Sequence, residues 1–127
     1  MPEKHLYEYA VIRIVPHVER EEFINAGIIM YCATQRFLEV KCKLDAVRLK
    51  SFCSSLDIVE IETRLQAFER VCEGGKEGGP IGQLSQASRF RWLTASRSTV
   101  VQTSRVHPGL STNVTETLHK LFEQLVI

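Results

Sequence analysis

The property that most constrains this chain is a change in hydrophobic period near Lys43. Before it, polar residues interrupt apolar runs rich in aromatic and β-branched side chains; after it, apolar residues recur every three to four positions. A period near two buries one face of a strand, whereas a period near 3.6 buries one stripe of a helix. The chain is therefore committed to strands first and helices afterwards. Leu6 to Val15 predicts a first strand that Pro16 closes, and Phe23 to Ala33 predicts a second. The charged stretch His17 to Glu22 links them. Phe37 to Lys43 alternates and predicts a third strand, which makes an antiparallel meander.

Asp57 followed by Glu60 has the spacing of a capping box. Ile58, Ile61, Leu65, Phe68 and Val71 then form the stripe of a helix that Gly74 and Gly75 stop. Asp45 to Ser54 predicts a shorter helix before it. Gly74 to Gly82 predicts a flexible loop. Leu84, Ala87, Phe90 and Leu93 predict a helix ending near Ala95, and Ser98 to Thr103 a fourth strand. Asn113 and Glu116 repeat the capping spacing ahead of a terminal helix striped by Val114, Leu118, Leu121, Phe122 and Leu125.

Strands, then helices, with one late strand returning, predict an α+β two-layer sandwich: an antiparallel sheet of about four strands with helices on one face. A chain of 127 residues is the length of one domain, expected over residues 1–127 around one core. With 44% hydrophobic and 24% charged residues it reads as globular. No run is long and apolar enough to cross a bilayer, and the first residues lack the apolar core of a signal peptide, so a cytoplasmic location is expected.

The four cysteines are too far apart for the paired spacing of a zinc site. A hairpin around Thr34 and Gln35 places Cys32 opposite Phe37 and Cys42 opposite Gly27, five residues along the strand, or on the order of 16 Å. That exceeds disulfide reach, so buried, reduced thiols are expected. The glycine-rich loop lacks the order of a P-loop, since Lys76 stands inside it and not at a helix start. The histidines show no metal-binding spacing, and no cofactor is called for. His107, in the turn-like His107-Pro108-Gly109, could act as a base toward Thr103 or Ser104, though no acid lies nearby in sequence to orient it.

Charge gives a stronger signal. Between Gly78 and Thr115 there is no Asp or Glu, although the chain holds 15 such residues. Arg89, Arg91, Arg97 and Arg105 give this stretch a formal +4 in a chain whose net charge is only +1. Such an imbalance attracts anions locally. Arg89 and Trp92 stand three apart on the expected helix, where a guanidinium can stack on the indole. Arg97 follows the helix, and Ser96, Ser98 and Thr99 add hydroxyl donors. The competing reading pairs Arg89 and Arg97 with Glu19, Glu21 or Glu22. In the second strand Asn25 and Gly27 break an apolar run, which marks a structural hydrogen bond and close backbone approach, or a ligand contact.

The segments Tyr7 to Pro16, Glu19 to Cys32 and Phe90 to Gln102 together resemble a bacterial family, domain of unknown function 3037. The resemblance implies no particular reaction or cofactor. It does imply a partner class, because members are often encoded beside HipA-like kinases. Three functions follow as expectations. The first is a binding module for a phosphate-bearing ligand, nucleic acid or partner protein, using Arg13, Asn25, Arg89, Arg91, Arg97, Ser98, Gln102 and His107. The second is a small hydrolase or transferase with His107 as acid/base. The third is an adaptor for a HipA-like kinase.

Overall fold

The computed structural model describes residues 3–127; Met1 and Pro2, part of the start read against a signal peptide, lie outside the described residues. Strand β1 (His5–Ile14) is central. It pairs antiparallel with β2 (Ile24–Cys32), which pairs antiparallel with β3 (Phe37–Cys42). The β2–β3 register sets Cys32 opposite Phe37 and Gly27 opposite Cys42, as the hairpin predicts. All four thiols are unpaired.

The other edge of β1 is shared by two short strands. Its C-terminal part pairs with β4 (Val101–Thr103) and its N-terminal part with β5 (His107–Ser111). Between them Ser104 substitutes for the ladder: its backbone N–H donates to Val11 O at 2.8 Å, and its Oγ accepts from Val11 N–H at 2.9 Å. The sheet is thus antiparallel as expected but has five strands. The stretch His107-Pro108-Gly109 is strand and not turn, because Pro108 lies on a sheet edge where no ladder donor is missed.

Helices α1 (Ala46–Phe52), α2 (Ile58–Glu73), a single turn α3 (Gly79–Gly82) and α4 (Gln86–Leu93) follow, and α5 (Val114–Leu125) ends the chain. Asp57 caps α2 by accepting from Glu60 N–H, and Asn113 caps α5 by accepting from Glu116 N–H, each at 3.1 Å. The expected loop from Gly74 to Gly82 is built: a 3-10 turn and α3 occupy it, and Gly75 N–H donates to Gly82 O at 2.9 Å. The expected fourth strand starts at Val101 and not at Ser98, because Gln102 donates back to Thr99 O at 2.8 Å and turns the chain there.

Helices cover both faces of the sheet, which corrects the expectation of one face and one core. Ala10, Ile12, Ile14 and Ile29 pack with Leu49, Leu65, Phe68 and Phe90 from α1, α2 and α4. Val11, Ile28, Met30 and Cys32 pack with Val114, Leu118 and Phe122 from α5. An amphipathic stripe says that a helix is buried, not against which face. The split also depends on a bulge in β2: Ile12 pairs with Gly27 but Arg13 pairs with Asn25, so Ala26 is the extra residue. The bulge turns Asn25 toward α5. No described helix is long and apolar enough to cross a membrane.

Candidate functional site

The arginines of the acid-free stretch have different fates. Arg89 is 9% exposed and points into the fold. Its Nη1 donates to Val71 O at 3.2 Å and Cys72 O at 2.7 Å, and its Nε donates to Leu84 O at 3.1 Å. It therefore closes the C-terminus of α2, whose last carbonyls lack helical partners. Gly74 makes room for it. With φ at +83° this residue sits in the left-handed region, and an added Cβ would lie 2.6 Å from Arg89 Nη1. The expected stacking of Arg89 on Trp92 does not occur, because the guanidinium is drawn inward to those carbonyls.

Arg91 lies on the outer side of α4 and makes a two-pronged pair with Glu8 of β1, at 2.8 and 2.7 Å. The hydrogen bond to Glu8 raises the Arg91 pKa, partly offset by burial. Neither Arg89 nor Arg97 uses Glu19, Glu21 or Glu22, since both donate to backbone carbonyls; Glu22 is held by Arg20 at 2.9 Å. Nothing local in the sequence marks Glu8 as the partner, since the pair spans 83 positions.

Arg97 folds back over the end of α4. Its Nη1 donates to Leu93 O at 2.9 Å and its Nη2 to Trp92 O at 2.5 Å, while its Cζ lies 4.6 Å from the Trp92 ring centroid. Partial burial lowers its pKa, yet an arginine remains cationic. Trp92 itself is 44% exposed. Arg97 and Trp92 form one wall of a groove of about 260 Å³; α2 supplies the other with Arg64 and Phe68, Val71 lies beside them, and Thr99 stands at the rim. Arg64 is paired with Glu60 at 3.0 Å. Ser98 is exposed next to Arg97. Arg64 is the residue that sequence reasoning passed over: it flanks the α2 stripe, and only packing of α2 against α4 brings it to Trp92.

Asn25, Arg13 and Gln102 form a row across β2, β1 and β4 on the α5 side of the sheet. Each has a local role. Arg13 lies over the Phe23 ring at 4.0 Å, Asn25 Nδ2 donates to Leu125 O at 2.9 Å, and Gln102 holds Thr99. Arg13 Nε and Asn25 Oδ1 are buried without a hydrogen-bond partner. This row and the Arg97 groove lie on opposite faces, so the eight candidate residues do not converge. His107 is elsewhere again, with its ring 5.3 Å from that of Tyr9. The hydroxyls expected beside it are engaged with backbone: Thr103 Oγ1 with Thr94 O, Ser104 Oγ with Val11 N–H and Arg105 O.

Residues 9–126 match the model of a family described as a protein of unknown function, DUF3037. The chain belongs to the DUF3037 family. The match runs from Tyr9 within β1 to the end of α5, and takes in both walls of the groove and the Asn25–Arg13–Gln102 row of this family member. No curated protein and no solved structure matches the chain.

Proposed function

We propose that this DUF3037 protein is a small binding module that takes a phosphate-bearing ligand with a planar group in the groove between α2 and the Arg97 turn. The observation that carries the reading is the pairing of Arg97 with the exposed Trp92 at the rim of an apolar floor. Two of the five guanidinium N–H donors are used on α4 carbonyls, which fixes the plane of the group and leaves three for an anion. A guanidinium held in advance loses little side-chain entropy when it binds. Phe68 and Val71 give a base an apolar surface, and a groove of this size suits one nucleotide unit better than a duplex. Four unpaired thiols are in keeping with a reducing, cytoplasmic setting.

Calorimetric titration with adenosine monophosphate, inorganic phosphate and a short single-stranded oligonucleotide tests the proposal. The expected result is binding that favours the ligands with a base and weakens with salt, with a slope of roughly −1 for one or two neutralised phosphates. No binding of any of the three at low salt would refute it. Catalysis by His107 draws no support from the geometry. The adaptor reading, with a HipA-like kinase as partner, has one observation in its favour: Leu6 and Leu110 pair across β1 and β5 and stay 60% and 64% exposed.

A further inference from the structure

Residues 17 and 53 meet in a cavity of about 380 Å³, separate from the Arg97 groove, lined by His17, Arg20, Glu22, Lys50 and Cys53 among others. Cys53 follows α1, and the chain turns sharply after it. Lys50 fixes that turn by donating to Ser54 O at 3.2 Å and Leu56 O at 2.6 Å. The turn brings Ser55 Oγ to 3.2 Å from the sulfur, while Leu56 N–H donates to Cys53 O at 3.2 Å. On the opposite side His17 Nε2 is 3.8 Å from Sγ. His17 Nδ1 is in turn 3.9 Å from Glu19 Oε1.

We propose that Cys53 is a reactive thiol, with His17 as its base, that exchanges with small disulfides and carries the resulting mixed disulfide. The donors decide between two kinds of cysteine chemistry. In acyl transfer the donors must face an oxygen beside the sulfur, whereas here the Ser55 hydroxyl lies against the sulfur itself, where it stabilises the anion. Exchange needs just that anion. The Sγ proton passes to His17 Nε2, and the thiolate attacks one sulfur of the disulfide. A new S–S bond forms as the old one breaks, its electron pair leaves on the second sulfur, and that thiolate takes a proton from His17. The disulfide is the oxidant, so no other co-reactant is required. No second cysteine lines the cavity, so the mixed disulfide persists until an outside thiol removes it.

The four thiols of the chain are set apart by their surroundings. Burial, followed by the charge of Glu69, pushes the Cys42 thiol up to about 12, and burial does the same for Cys72. Cys32 is fully buried. The Cys53 thiol moves down, first through the Ser55 hydroxyl, then through the Ser55 amide, with Lys50 a smaller contributor. His17, Glu19, Arg20, Glu22 and Lys50 are the charged or titratable groups around it, and Arg20 and Glu22 neutralise one another.

The test treats the full native chain with glutathione disulfide, maps the adduct by peptide mass analysis, and follows rate against pH with a chromogenic aromatic disulfide. The expected adduct is on Cys53, at a neutral-pH rate roughly tenfold above that of the same thiol in the urea-unfolded chain. His17→Gln should slow the reaction by about tenfold and move its pH midpoint upward. Ser55→Ala should move the midpoint the same way, and it serves if the His17 variant does not fold. An adduct spread over several thiols, a native rate no greater than the unfolded rate, or unchanged pH midpoints in the folded variants would overturn the proposal.

Discussion

Arg89 and Arg97 belong to the same acid-free stretch, eight positions apart, and do opposite things. Arg89 sits on the inner face of α4, out of water, with its guanidinium on the α2 carbonyls. Arg97 sits past the end of the same helix, at a groove rim, with its guanidinium laid on an exposed indole. Both satisfy helix-end carbonyls, yet one is a structural strut and the other faces solvent. A positive stretch read from sequence counts charges; which of them a ligand can reach depends on helix facing and on where the chain reverses.

Substitutions can break this contrast. The largest expected effect is on the floor the two regions share: Phe68→Ala should cost roughly 3–5 kcal/mol in urea melts, from lost transfer energy plus a cavity. Next, Arg89→Met should cost about 3 kcal/mol, because it leaves the end of α2 without its donors in a buried setting. Arg89→Lys should recover little of that, since an ammonium cannot span three carbonyls with a planar fork. A loss below ~1 kcal/mol in either Arg89 variant would place the residue outside the supporting structure. Smallest is Arg97→Ala, at about 1 kcal/mol, because water replaces the guanidinium at the partly exposed end of α4. Equal losses at 89 and 97 would erase the contrast.

How far the sequence reveals this arrangement varies with the distance over which each feature is decided. The β2–β3 register and the starts of α2 and α5 follow from alternation and from Asp57 and Asn113, whose partners are three positions away. The facing of Asn25 toward α5 depends on the extra residue Ala26, since one bulge reverses the side to which it points. The division of the last strand depends on the Ser104 hydroxyl taking a ladder position from across the sheet. At the candidate site, Arg97, Trp92 and Thr99 stand out as a local cluster, while Arg64 arrives from α2 through packing alone. Cys53 and His17 are 36 positions apart and carry no shared motif, and the expectation of buried thiols holds for Cys32 and Cys72 but not for Cys42 and Cys53, which are half-buried.

The most direct measurement uses the chain's only tryptophan, which stands in the groove. Trp92 fluorescence is titrated with adenosine monophosphate at low salt in the wild type, in Arg97→Ala and in Arg91→Ala, whose ion pair with Glu8 lies on the outer side of α4. The account predicts a saturable change in the wild type, the same curve for Arg91→Ala, and an affinity at least about tenfold weaker for Arg97→Ala, equivalent to the ~1.4 kcal/mol expected for a charge-assisted hydrogen bond. A wild type with no saturable change, or an Arg97→Ala curve that overlays it, would contradict the account.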